Sequence, residues 1–336
     1  MSVPGAIFID TSILAGQQYN FASTAFAAFT EVVRKRGLQL LLPDPTKREV
    51  LRQIAERSTE ALKALEVARR RAPFLSKWRH FPVEQKPWPG DWEVRRVANA
   101  EWQAFLQQFE VVALSYDGIN VATVMDWYDA IRAPFGEGKK RKEFPDAFAI
   151  ATLAEYASKT GSCIAVLSAD EDFRRACAYY PGLLYFPSLP SLTELLLADE
   201  ERIEPLKALV EASGDKLKDA VSEAIAGLSF YHAYEEYNEI EDVEDVETEI
   251  VELKVISLGA TECTVAFEAD FSYSVRLSIR YSGNDDGDEV AGWVYDTAST
   301  SGTAKLQLEA DLSAVKSVVM VDLEDRPIEV RRELRD

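Results

Sequence analysis

Short uncharged apolar runs alternate with amphipathic stretches through the first 198 residues. Ala6-Ile7-Phe8-Ile9, Leu38-Gln39-Leu40-Leu41-Leu42, Cys163-Ile164-Ala165-Val166-Leu167 and Leu183-Leu184-Tyr185-Phe186 have the length and composition of strands covered on both faces. Val111-Val112-Ala113-Leu114 is too short to assign. Helical spacing is read from Phe21 to Arg36, with Gly37 as a C-cap, and then from Thr46 to about Arg71. In the latter stretch Val50, Ile54, Ala61, Leu65 and Ala68 fall on one face. Further helices are expected from about Glu93 to Phe109, from Asn120 to Ile131, from the turn carrying Glu143 and Asp146 to about Lys159, and from Leu192 to Leu197. Strand and helix in alternation predict a parallel α/β sheet.

The pattern then changes. Leu206 to Tyr237 reads as one or two helices. Glu235 to Glu252 is so rich in acids that it reads as a solvated linker. Period-two alternation follows at Thr248–Ile256, Cys263–Phe267, Tyr273–Tyr281, Val290–Tyr295, Ala304–Leu308 and Val315–Val321. Turns are expected at Gly259, at Gly283-Asn284-Asp285-Asp286-Gly287 and at Ser301-Gly302. That is the signature of a small antiparallel β domain. The expected organisation is an α/β domain over 1–198 with an insertion at about 60–135, a helical and acidic connector over 199–247, and the β domain over 248–336.

Charge follows the same division. Residues 1–198 hold 24 Lys and Arg against 23 Asp and Glu, a net of +1; residues 199–336 hold 13 against 34, a net of −21. Two parts so different in charge suit different partners. The three cysteines lack metal-ligand spacing and fit a reducing cytoplasm. No apolar run is long enough to span a membrane and no secretory signal is visible, so a cytoplasmic location without membrane contact is expected. With only His80 and His232 present, acid–base chemistry falls to carboxylates. Neither a dinucleotide-binding glycine pattern nor a Walker lysine motif accompanies the strands.

The acids stand where such a sheet binds ligands, just past the carboxyl ends of its strands. Asp10 closes the first run and Thr11 and Ser12 follow; it reads equally as a helix cap. Glu49 lies three residues after Thr46, so it either completes a capping box or enters the same crevice as Asp10. Glu143 and Asp146 open a helix, where the dipole alone can account for them. The preceding Lys139-Lys140-Arg141-Lys142, flanked by Gly136 and Gly138, suits a phosphate backbone instead. Ser168, Asp170 and Asp172 follow the fourth run. Crowded carboxylates need a compensating charge, and hard divalent ions such as Mg²⁺ or Mn²⁺ supply it through oxygen ligands. Arg69, Arg70 and Arg71 precede a stretch holding Pro73, Trp78, Pro82, Pro87, Trp88, Pro89 and Trp92. Cations among rings suit single-stranded nucleic acid; the same residues also read as a solvated surface over inward-packed tryptophans. Asp285-Asp286-Gly287-Asp288 reads as a hairpin turn, since a calcium loop needs more ligands.

Ile9-Asp10-Thr11-Ser12, Glu49, Asp146-Ala147-Phe148-Ala149-Ile150 and Leu167-Ser168-Ala169-Asp170-Glu171-Asp172-Phe173 resemble, in order, the acidic motifs of PIN-domain nucleases. Lys142-Glu143-Phe144-Pro145-Asp146-Ala147 is most similar to the larger PIN-like bacterial proteins. The resemblance covers about residues 4–190. It implies a Rossmann-like PIN sheet carrying a helical insertion. It implies Asp10, Glu49, Asp146 and Asp170 as catalytic acids, with Mg²⁺ or Mn²⁺ on Asp10, Asp146 and Asp170 or Asp172, of which Asp170 is nearer the strand end. Thr11, Ser12, Glu143 and Ser168 are the expected supporting groups. Arg69, Arg70, Arg71, Lys139, Lys140, Arg141 and Lys142 are the expected nucleic-acid contacts. The implied activity is metal-dependent endonucleolytic cleavage of RNA, in a toxin, defence or RNA-processing role. Alternatives are a non-catalytic module binding RNA or protein, and a DNA structure-specific nuclease. Expected partners are RNA, single-stranded or transfer RNA, a second copy of the chain, and a protein docked on the acidic C-terminal domain, which alternatively shields the nuclease site.

Overall fold

The computed structural model describes residues 4–77, 90–138, 143–198, 200–232, 237–280, 289–309, 313–324 and 327–331. Lys139, Lys140, Arg141, Lys142, the residues 78–89 with Trp78, His80 and Trp88, and the 283–288 turn lie outside the described residues. By contacts the chain divides into two units. One holds Met1–Phe21 and Val33–Leu192, the other Ala22–Val32 and Thr193–Asp336.

The first unit is built on five parallel strands. They are β1 (Ala6–Ile9), β2 (Gln39–Pro43), β3 (Glu110–Leu114), β4 (Ile164–Leu167) and β5 (Leu183–Phe186), in the order β3-β2-β1-β4-β5. β1 and β4 are buried at every residue, which is why both read as unbroken apolar runs. β3, unassigned from sequence, pairs with β2 as an edge strand. The stretch expected as one insertion over 60–135 therefore contributes a strand to the sheet.

The intervening helices are α1 (Thr11–Gly16), α2 (Thr24–Lys35), α3 (Asp44–Arg71), α4 (Asp91–Leu106), α5 (Val121–Asp129), α6 (Phe144–Thr160), α7 (Glu171–Cys177) and α8 (Leu189–Leu197). α1 was not expected. Gly161 closes α6 in the left-handed conformation at φ 68°, as its C-cap position requires. One face of the sheet packs on α5, α6 and α7 through Phe8, Leu41, Trp127, Ile150, Leu153, Val166 and Phe173. Phe8 and Phe173 stack with centroids 5.9 Å apart.

α3 corrects two expectations. It begins at Asp44 with Pro43 at the cap and no side-chain capping bond, so Thr46 and Glu49 form no capping box. Its apolar face is buried at Thr46, Val50, Ile54 and Ser58 and ends there, with Leu65 47 % exposed. The helix also packs on α4, where the Thr59 hydroxyl donates to Asp91 at 2.7 Å.

In the second unit α9 (Ile203–Ala212) and α10 (Gly214–Ala226) precede β6 (Phe230–His232). Next come β7 (Tyr237–Leu258), β8 (Glu262–Arg280), β9 (Glu289–Leu308), β10 (Val315–Leu323) and β11 (Ile328–Val330). β7 to β10 form an antiparallel sheet in the order β10-β9-β8-β7, while β11 pairs with β6. Leu206, Val210, Leu217, Val221 and Ile225 from the two helices share a core with Phe267, Phe271, Tyr273, Val275 and Leu306. Ala28 of α2 packs with Ile256 and Ala266, and Ser257 donates a hydrogen bond to Glu31 at 3.1 Å.

Three expectations for this unit are corrected. The acidic stretch is not a linker within its described part: residues 237–258 are the edge strand β7. Cys263–Phe267 and the described part of the stretch expected from Tyr273, up to Arg280, belong to one strand, β8. Ser301-Gly302 is no turn but lies inside β9. A Cβ at Gly302 would stand 2.6 Å from the Asp322 carbonyl oxygen and 3.0 Å from the Phe267 ring. The glycine is there because the neighbouring strand passes too close for a side chain.

Candidate active site

Four strand ends deliver side chains to one cleft of about 770 Å³ in the first unit. Asp10 follows β1, α3 with Glu49 follows β2, Tyr116 follows β3, and Asp170 follows β4; all four line it. Glu143 and Asp146 enter from the start of α6. β1 and β4 are neighbours where the strand order reverses, the place where open α/β sheets leave a crevice.

Asp10 is 5 % exposed and is both the cap of α1 and a wall of the cleft. Its Oδ2 accepts from the Ser12 amide at 3.2 Å, from the Ser12 hydroxyl, and from the Ser168 hydroxyl at 2.9 Å. Each serine oxygen in turn accepts a backbone N–H, Ser12 from Ala169 at 3.0 Å and Ser168 from Asp170 at 3.1 Å. With those amides occupying the acceptor side, both hydroxyl protons are directed at Asp10. The other oxygen, Oδ1, has the Thr11 hydroxyl at 3.5 Å. Burial still pushes the Asp10 carboxyl above its ordinary value, against the lowering effect of these bonds.

Glu49 accepts from Gln53 Nε2 at 2.8 Å, with the Arg52 guanidinium at 3.8 Å. Tyr19 donates its hydroxyl to Gln53 Oε1, so a short chain of bonds orients Glu49. Burial raises Glu49 first, then the charge of Asp10. Asp146 is raised from 3.8 to about 8, by burial and then by the charges of Asp10, Glu143 and Glu49, with a hydrogen bond to Glu143 adding to it. Phe144 anchors this corner by stacking on Tyr128 at 5.2 Å and meeting Phe135 edge-on at 4.9 Å.

Asp170 caps α7, accepts the Asp172 amide at 2.7 Å, and faces the cleft. Asp172 does not line it. It is 3 % exposed and paired with Arg175, because the first turn of α7 rotates it into the protein. Arg69, Arg70 and Arg71 are also remote. They lie about 30 Å along α3 from Glu49 at the helical rise, and Arg70 pairs with Glu66. Trp92 is 69 % exposed rather than packed inward, with the Arg96 guanidinium over its ring.

Sequence reading missed Arg48, Arg52, Gln53 and Tyr116, all of which line the cleft. The signal was present for the α3 residues. Pro45, Arg48, Glu49, Arg52 and Gln53 have the i, i+3, i+4, i+7, i+8 spacing of one helix face.

This is a mostly apolar α/β cleft with convergent carboxylates that repel one another. Its donor chemistry fits a hard divalent cation. Among the described residues no three acidic, His or Cys side chains stand together as a ready-made metal cluster. A Mg²⁺ site of one or two carboxylates completed by water and substrate oxygens needs none. Among the described residues no helix is long and apolar enough to cross a membrane.

Residues 7–173 match the family model of the PIN domain. The chain is a PIN-domain protein with an additional C-terminal region, and its first unit has a nuclease-type fold. No curated protein and no solved structure gives a match.

Proposed function

We propose that the first unit is a divalent-metal-dependent endoribonuclease. The observation that carries the reading is the convergence of Asp10, Glu49, Asp146 and Asp170 from separate elements on one cleft, with Asp146 raised to about 8 by burial first and then by its acidic neighbours. Groups so arranged store repulsion that a cation relieves.

Asp10 and Asp146 are the residues we assign to the cation, with Asp170, Glu49 and Glu143 as the remaining carboxylates. Bound Mg²⁺ or Mn²⁺ supplies Lewis-acid stabilisation of phosphodiester oxygens and a water more acidic than bulk. The chain supplies orientation. Ser12 and Ser168 hold Asp10 through Oδ2, fixing the carboxylate that would face the cation. Gln53 orients Glu49, the carboxylate that would accept a proton from an attacking water. Biologically, we assign a toxin or defence role, in which induction in a bacterial host arrests growth and Asp10→Asn abolishes the arrest.

The test is purified full-length protein with labelled RNA and DNA, with and without Mn²⁺. Internal cuts in RNA are expected, reduced at least about a hundredfold by Asp10→Asn or Asp146→Asn. Undiminished cleavage in both variants marks a contaminant and overturns the proposal. Preferential cutting of DNA replaces the substrate class, and RNA binding without cutting gives a non-catalytic module.

A further inference from the structure

We propose that Tyr116 and Arg48 form a subsite beside the acids that takes one nucleotide, its base on the ring and its phosphate on the guanidinium. This rests on the nuclease reading and names the residues that hold its substrate. Tyr116 sits in the loop after β3, half-buried, on the wall of the same cleft as Asp10 and Asp146. Its ring meets that of Phe148, centroids 6.1 Å apart, and Phe148 stands two residues after Asp146 on α6. The Arg48 guanidinium lies 5.7 Å from the Tyr116 ring centre, and Arg48 is the residue before Glu49 on α3. Arg48 is thus the chain neighbour of one acid, and the Phe148 that meets the Tyr116 ring is two residues from another.

The charge of the site requires such a pairing. A polyanion is repelled by a cleft holding Asp10, Glu49, Glu143, Asp146 and Asp170 unless cations meet its phosphates. Among the described residues Arg48 and Arg52 are the cations that line it. Both are exposed and can move; turning Arg48 onto a phosphate uncovers the Tyr116 face for a base. Every base has a π-face, so such stacking is tolerant of sequence. In a duplex those faces are already occupied by neighbouring bases, and exposing one costs unstacking. The cleft volume of about 770 Å³ lies in the range of pockets that enclose a small ligand.

The experiment uses full-length Asp146→Asn protein and fluorescence anisotropy with a short labelled single-stranded RNA, free or annealed to its complement. Tyr116→Ala and Tyr116→Leu are expected to weaken single-strand binding about tenfold or more, while Tyr116→Phe and Tyr116→Trp stay within about twofold. Duplex binding changes less. Arg48→Ala weakens binding and lowers the salt slope by about one phosphate. Tyr116→Leu binding like its parent, Tyr116→Leu weakening both forms equally, or Tyr116→Phe weakening as much as Tyr116→Leu overturns the subsite. Cleavage by the unmodified chain is read separately. RNA cut by a protein whose binding ignores Tyr116 removes the subsite and leaves the nuclease. Tyr116-dependent binding without cutting removes the nuclease and leaves the subsite.

Discussion

Replacing Asp146 by Asn should stabilise the protein in the absence of divalent ions. Asp146 keeps its proton up to about pH 8 in the fold but releases it near the ordinary 3.8 when unfolded. Between those values the folded state binds the extra proton. The stability associated with this group is therefore complete below about pH 4 and is lost as pH rises towards 8. At pH 7 the gap is a little over three units, which sets a ceiling of about 4 kcal/mol. Effective screening in real protein sites brings the working figure to about 1–2 kcal/mol. Asn has no proton to lose and escapes the penalty, so its melting temperature should exceed that of the parent by roughly 2–8 °C at pH 7–8, and by little near pH 4. Mn²⁺ should act in the opposite sense. It favours the ionised carboxylate, so it should raise the melting temperature of the parent more at pH 8 than at pH 5.5, and that of the variant only slightly. Thermal melts in chelator and in Mn²⁺ across this pH range make the comparison. An Asn variant that melts below its parent at pH 8 in chelator, with the same dependence on pH, would refute the account of stored repulsion.

Ser12→Ala and Ser168→Ala each remove a donor from the buried Asp10 carboxylate. Each should cost about 1.5–3 kcal/mol in denaturant unfolding at pH 7 and move the acid limb of any cleavage profile upward; an unchanged limb would count against the role given to the two hydroxyls. Gly302→Ala should destabilise the second unit by about 1–3 kcal/mol, because the new Cβ meets the Asp322 carbonyl at 2.6 Å; chemical denaturation followed by tryptophan fluorescence reads it, and a neutral result would mean the strands separate freely. Truncation at residue 200 is a poor test of whether the acidic region repels RNA, since Ala28 of α2 packs on Ile256 and Ala266 and would lose that cover. Glu247→Lys with Glu249→Lys on exposed positions of β7 keeps the fold and should tighten RNA binding at low salt, with the gain vanishing at high salt; equal affinity at low salt would end the shielding idea.

Legibility from sequence varied with the kind of constraint acting on each residue. β1 and β4 were plain because a strand covered on both faces tolerates no polar residue. β7 was missed for a definite reason. Its inner residues Ile240, Val243, Val246, Ile250, Leu253 and Val255 pack on the core, yet their spacing is three, three, four, three and two. Each odd step coincides with a register shift against β8, between Ile240 and Asp242, Glu244 and Glu247, and Ile250 and Glu252. A bulge adds a residue and returns the next apolar side chain to the inner face, so the period of two disappears from the sequence while the strand persists. Gly302 deceived in the opposite way, since a residue type common in turns answers here to a close strand.

What the sequence determined by itself was the parallel sheet and the acids at its strand ends, because burial and strand termination are local demands written residue by residue. Only the tertiary structure decided which acids meet. Asp170 lines the cleft while Asp172, two residues on, is turned inward onto Arg175 by a single helical rotation. Arg69 to Arg71 are left some 30 Å along their helix, and Arg48 with Tyr116, distant in sequence, are brought beside the carboxylates. Convergence depends on the order in which strands pair, and that order is set by packing among helices rather than by any one segment.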